Sequence, residues 1–171
     1  MGVHEHRASA PLSVRCAVLT ISDTRTPGTD ESGRLIRSLL EERGHRVVHT
    51  AILPDDPGAV QGELRALLFR ADVEAILLNG GTGISPRDRT HEAVTALLDR
   101  KLDGFGEIFR QLSYREIGAA AMLSRAVAGL AGGRVLFSMP GSTRAVKLAM
   151  ESLILPEIGH VVGEAGKPER S

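Results

Sequence analysis

Val73-Glu74-Ala75-Ile76-Leu77-Leu78-Asn79 runs directly into Gly80-Gly81-Thr82-Gly83, and this junction decides the fold. A short apolar run without alternation marks a strand buried on both faces. The glycines end it, and Ala93, Val94, Leu97 and Leu98 then recur at helical spacing. The same strand, loop and helix order repeats on either side. Upstream, Arg15 to Ile21 (RCAVLTI) ends in Ser22-Asp23 and a Thr/Pro/Gly loop. A helix follows from near Asp30 through Leu35, Ile36, Leu39 and Leu40, with Gly44 as its stop. His45 to Leu53 is the next strand, after which Asp56 caps and Pro57 opens a helix carrying Val60, Leu64, Leu67 and Leu68. Downstream, Phe105, Ile108, Phe109 and Leu112 mark another helix. Arg134 to Met139 (RVLFSM) is a strand running into Pro140-Gly141-Ser142, and the last helix carries Val146, Ala149, Met150 and Leu153. This alternation predicts a single-domain α/β fold: three layers, α/β/α, around a mainly parallel central sheet.

The chain has 171 residues, enough for one core without a staple. We expect a domain over residues 14–162, with flexible tails at 1–13 and 163–171 where apolar periodicity is missing. Lys plus Arg (21) equals Asp plus Glu (21), which leaves no basic field to hold a nucleic-acid backbone. No run approaches the roughly 20 apolar residues of a membrane span, and the first thirteen residues lack an apolar signal core. A cytoplasmic protein is expected. The single Cys16 lies in an apolar run, which favours a buried, inert thiol and a reducing compartment. His4 and His6 read as part of a solvated tail, and the other histidines show no zinc-binding pattern.

In such folds ligands sit beyond the carboxyl ends of the strands, so four loops matter: those after Ile21, Leu53, Asn79 and Met139. They gather Ser22, Asp23, Asp55, Gly80, Gly81, Thr82, Gly83, Asp88, Pro140, Gly141 and Ser142. Glycines let backbone N–H groups approach an anion, which suits a phosphate ligand. The glycine run is neither a Walker loop nor a dinucleotide fingerprint, and taken alone it is also an ordinary tight turn. Asp55 or Asp56 could serve only as a helix cap, and Asp88 only as a first-turn carboxylate. Arg87, Arg89, Arg125, Arg144 and Lys147 lie near the glycine-rich segments as candidate phosphate partners, and Glu107 could be buried or solvated.

The ordered segments Asn79 to Thr90 (NGGTGISPRDRT), Gly104 to Arg110 (GFGEIFR), Ser124 to Gly129 (SRAVAG) and Met139 to Ser142 (MPGS) resemble the MoaB/Mog family. The resemblance covers Val14 to about His160, and residues 106–113 and 138–143 are more similar to its MoaB branch. It implies a mainly parallel sheet with one antiparallel edge and a homo-oligomer, trimer or hexamer. It also implies a molybdopterin adenylyltransferase with molybdopterin and ATP as substrates and Mg²⁺ as cofactor. Asp55 and Asp88 become the catalytic and Mg²⁺-binding acids. Ser22, Asp23, Gly80, Gly81, Thr82, Gly83, Ser113, Pro140, Gly141 and Ser142 become the substrate contacts. A catalytically silent molybdopterin-binding or scaffold protein of the same pathway is the alternative.

Overall fold

The structure, a computed structural model, describes residues 10–167. Its elements are β1 (Arg15–Ile21), α1 (Glu31–Glu42), β2 (Arg46–Leu53), α2 (Pro57–Leu68), β3 (Ala75–Asn79) and α3 (Thr90–Thr95), then β4 (Arg100–Lys101) and α4 (Asp103–Ile117). A 3₁₀ turn (Gly118–Leu123), β5 (Val127–Ala131), β6 (Arg134–Met139), α5 (Thr143–Ala149), a π turn (Met150–Ile154) and α6 (Leu155–Ala165) complete it.

The sheet order is β2-β1-β3-β6-β5-β4. β2, β1, β3 and β6 are mutually parallel, while β5 runs antiparallel to β6 and β4 antiparallel to β5. The antiparallel strand therefore lies one place in from the edge, with the two-residue β4 outside it. Neither strand stands out in the sequence: β4 is two charged residues, and β5 (VAGLA), though apolar, is short and built mostly of small residues around Gly129. That glycine is required, because a Cβ there would collide with the Arg100 carbonyl of the neighbouring strand.

Side chains alternate across each strand and so build two cores. Cys16, Val18, Ala75, Leu77, Val135, Phe137 and Met139 face one side, where Ile36, Leu40, Phe109, Val146 and Ile158 cover them. Ala17, Leu19, Ile21, Ile76, Leu78 and Leu136 face the other, under Val60, Leu64, Leu67, Ala93 and Val94. These are the two helical layers of an α/β/α sandwich. Phe105 packs edge-on against Phe137 at 5.5 Å and stacks with Phe109 at 6.4 Å, so three of four phenylalanines form one cluster.

The expected caps at Asp56 and Gly44 operate, and Ser142 adds one that was not expected. Asp56 Oδ1 accepts the Ala59 N–H at 2.8 Å, Ser142 Oγ accepts that of Ala145 at 3.2 Å, and Gly44 ends the α1 turn at φ +81°. Two helix readings need correction. α3 stops at Thr95, and Leu97 and Leu98 pack on the core from a turn that leads into β4. In the final segment Pro156 has no N–H and its ring crowds the carbonyl of Ser152, so the helix widens into the π turn before resuming as α6. α6 then runs to Ala165, three residues past the expected boundary at 162. It also holds part of the expected N-terminal tail, since Gly159 and Gly163 leave room for Pro11. His4 and His6 lie outside the described residues. Among those described, no helix is long and apolar enough to cross a membrane.

Candidate functional site

α1 and α2 leave the sheet on opposite faces, and the order reverses between the adjacent strands β1 and β3. Diverging connections open a crevice at such a point. Here the loops after β1, β3 and β6 enclose a cleft of about 580 Å³, closed on its far side by α4 and the 3₁₀ turn. Ser22, Gly80, Gly81, Thr82, Gly83, Asp88, Ser113, Pro140, Gly141 and Ser142 line it together. Asp23 instead lines a second groove of about 630 Å³ between α1 and the end of β2. Ser22 and Arg25 border both cavities.

The strand ends pack backbone to backbone. Gly80 and Gly81 adopt φ +102° and +65°. A Cβ on Gly80 would collide with the Ile21 carbonyl, and one on Gly81 with the Thr90 hydroxyl. A Cβ on Gly141 would come 3.1 Å from Gly80 Cα. Glycine is thus needed where three strands meet, not merely to turn the chain.

Beneath the loops runs a buried polar chain that motif reading missed. Asn79 Nδ2 donates to the Leu19 carbonyl at 3.2 Å and to Thr20 Oγ1 at 2.9 Å. The Thr20 hydroxyl donates to Asp30 Oδ2 at 2.8 Å, and Asp30 Oδ1 accepts the Gly33 N–H at 2.9 Å. Ser32 Oγ and Arg25 Nη2 donate to the Gly141 carbonyl at 2.7 and 3.2 Å, which ties the loop after β6 to the start of α1.

Asp55 follows Pro54, which borders the groove, and itself lines neither cavity. Its N–H donates to Asp23 Oδ1 at 3.0 Å, and its Oδ1 accepts the Arg89 N–H and the Thr90 hydroxyl, both at 3.4 Å. Burial holds its carboxyl above the ordinary range, the charges of Asp88 and Asp23 push the same way, and those two hydrogen bonds oppose them. Asp88 Oδ2 accepts the Ser85 N–H at 3.0 Å. No three His, Cys, Asp or Glu side chains converge on a metal-sized gap among the described residues. Two partly solvated carboxylates fit Mg²⁺, which is commonly held by one or two carboxylates with substrate phosphates and water completing its shell.

The candidate cations divide. Arg125 is committed to the protein: Nε and Nη2 donate to the Gly83 carbonyl at 2.9 and 2.6 Å, and Nη2 also reaches the Asp88 carbonyl at 2.6 Å. Its Nη1 pairs with Glu92. Arg144 pairs with Glu116 at 3.1 Å. Arg87, Arg89 and Lys147 are exposed, as is Glu107. Arg25, which borders both cavities, was not among the residues singled out from sequence. Its one local signal is its place three residues after Ser22, whose Oγ accepts the Arg25 N–H at 3.1 Å.

Comparison with known proteins agrees with this geometry. Residues 17–160 match the MoCF_biosynth family model, described as "Probable molybdopterin binding domain". Molybdenum cofactor biosynthesis protein B of Halalkalibacterium halodurans is 58% identical over 165 residues, 96% of this chain and 97% of that protein. A crystal structure of a molybdenum cofactor biosynthesis protein B superposes with TM-score 0.88 at 54% identity, covering 92% of this chain and 98% of the other. The tungsten cofactor synthesizing protein MoaB of Pyrococcus furiosus superposes with TM-score 0.79 at 38% identity, over 92% and 100% of the two chains. The chain therefore belongs to the MoCF_biosynth family and is similar within it to molybdenum cofactor biosynthesis protein B.

Proposed function

We propose that this protein acts in molybdenum cofactor biosynthesis, binding molybdopterin and Mg-ATP and transferring AMP to the molybdopterin phosphate with release of pyrophosphate. The observation that carries this reading is the pair of adjoining cavities, which share Ser22 and Arg25, with Asp88 lining one, Asp23 lining the other and Asp55 hydrogen-bonded to Asp23. A transfer between two substrates needs two seats that open on one reacting centre. Family membership and the MoaB-type relatives supply the chemical identity of those substrates.

The nucleophile is a phosphate oxygen of the pterin, already ionised at neutral pH, so no strong base is required. It bonds to the α-phosphorus of ATP as the bond to the bridging oxygen breaks, and pyrophosphate leaves with that electron pair. Repulsion between the two polyanions is the obstacle, and bound Mg²⁺ supplies compensating charge. Asp55 and Asp88 would hold it. The packed glycines allow phosphate oxygens to approach the main chain, and Ser22, Ser113 and Ser142 offer hydroxyls along the cleft. The protein's contribution is chiefly positioning.

The same reading includes a cytoplasmic homo-oligomer, trimer or hexamer. Exposed Tyr114, Ile117, Met122 and Leu123 at the α4 end offer an apolar strip for a second copy. Incubation with molybdopterin and Mg-ATP, with detection of adenylylated pterin, tests the activity. ATP should be consumed only when pterin is present. Tight pterin binding without product would instead favour a silent binding protein, and a monomeric mass in light scattering would remove the oligomer.

A further inference from the structure

We infer that Arg125 is a positioning residue for the proposed transfer: its guanidinium sets the place of Gly83 and Asp88 at the mouth of the cleft. The inference rests on the proposed function for its kinetic consequence and on geometry alone for its structural one. Between Gly83 and Thr90 the chain makes an excursion in which Ile84, Ser85, Pro86, Arg87 and Arg89 are exposed. Within it one hydrogen bond joins main chain to main chain, Asp88 N–H to the Ser85 carbonyl at 2.9 Å, while Asp88 Oδ2 and Ser85 Oγ accept the Ser85 and Arg87 N–H groups of the same turn. Such a turn fixes its own shape, and the 3.4 Å bond from the Arg89 N–H to Asp55 ties its end, but neither sets the place of the Gly83 and Asp88 carbonyls.

Arg125 supplies that place. One planar guanidinium spans the loop, holding the carbonyl of Gly83 where the loop begins and that of Asp88 near its end. The remaining corner is held by Glu92 on α3, whose carboxyl lies below its usual range because of this pairing. Arg125 is itself anchored on both sides. Its N–H donates to the Thr82 carbonyl at 3.3 Å, and its carbonyl lies 2.7 Å from His91 Nδ1. The acid is close to both held carbonyls: its carboxylate lies so near Gly83 that an added Cβ there would come 2.6 Å from Asp88 Oδ2.

The antiparallel strand explains how this residue reaches the site. Parallel strands present their carboxyl ends to the cleft, whereas β5 begins there, with Val127 opposite Ser138 near the end of β6. The residues just before β5 are therefore delivered to the ligand side of the sheet. Arg125 spends its charge on main-chain carbonyls and Glu92, and its function is to order the loop, not to bind phosphate.

Arg125→Lys keeps the charge but cannot reproduce a fork of several donors in one plane. Hydrogen–deuterium exchange of residues 83–90 should accelerate about tenfold or more, while exchange in β1, β3 and β6 stays at the parent rate. Turnover of molybdopterin with Mg-ATP should lose about 10-fold to 10²-fold in kcat, as expected for misplacement of a reacting group, with no gain from raising pterin concentration. Glu92→Ala, a change at an exposed side chain, should shift both readouts in the same direction by less. Parent-like exchange over 83–90 in Arg125→Lys would overturn the inference even if turnover fell. Fast exchange with parent-like turnover would confine Arg125 to a structural role and likewise overturn it. A parent protein without turnover would instead count against the proposed function and leave the exchange test standing.

Discussion

The hydroxyl of Thr20 donates a 2.8 Å hydrogen bond to the carboxylate of Asp30 while accepting one of 2.9 Å from Asn79, joining β1, β3 and the first turn of α1 at the base of the cleft. All three side chains are buried. Thr20→Val preserves shape but leaves the Asp30 oxygen without this donor. A buried polar group deprived of its partner costs about 1–3 kcal/mol. In a domain of this size the thermal midpoint should fall by roughly 2–4 °C per kcal/mol. An unchanged midpoint would mean that the polar chain is structurally idle.

Asp55 predicts opposite signs for stability and activity. Its folded-state pKa lies above the ordinary value because burial penalises the anion. The folded protein therefore holds this proton more tightly than the unfolded chain does. That contribution to stability is complete below the ordinary pKa and is lost as pH rises through the folded-state value. At neutral pH the ionised carboxylate is a net cost, and Asp55→Asn should unfold no earlier than the parent, while turnover falls by roughly 10². A destabilised variant with parent-like turnover would show Asp55 to be structural.

Asp88→Asn separates a capping role from a charged one. The amide retains most of the turn chemistry, so a purely local role would cost at most about 1 kcal/mol and leave turnover near the parent rate. The proposed role needs the charge, and kcat should fall by roughly 10² with fold and assembly intact. Steady-state kinetics at saturating Mg-ATP decides between them.

Two glycines give a controlled pair. Gly81→Ala places a Cβ in a left-handed conformation, at about 1–2 kcal/mol, and against the Thr90 hydroxyl, so both midpoint and turnover should drop. Gly62, inside α2, has nothing within 4 Å of an added Cβ. Gly62→Ala should stabilise by about 0.4–1 kcal/mol without touching activity. Equal effects in denaturant melts would contradict the close packing at the strand ends.

Cys16 is wholly buried among apolar side chains, and burial pushes its thiol up to about 12. A thiol reagent at pH 8 should label the native protein negligibly and the denatured chain to one equivalent, since the thiolate is the reactive form. Prompt labelling of native protein would place Cys16 elsewhere than in the core.

The chain itself determined the features that depend on neighbours a few residues apart. Apolar runs located β1, β3 and β6, helical spacing located α1, α2 and α4, and the glycines after Asn79 marked the loop whose φ values they alone accept readily. The widened turn before Pro156 is local as well, because the missing N–H and the clash act four residues back. Asp55 and Asp88 stand out in the sequence as acids of strand-end loops and Ser113 only by resemblance, and the fold placed Ser113 and Asp88 in the cleft with Asp55 beside it. What only tertiary structure decided was partnership. Arg125 could have met a phosphate or solvent until β5, a short strand of mostly small residues, ran against its neighbours and carried it to the carbonyls of Gly83 and Asp88. Arg25 and the Asn79–Thr20–Asp30 chain became visible for the same reason: φ preferences, caps and hydrophobic period are encoded within a turn or two, whereas the partner of a long polar side chain depends on which distant strands become adjacent.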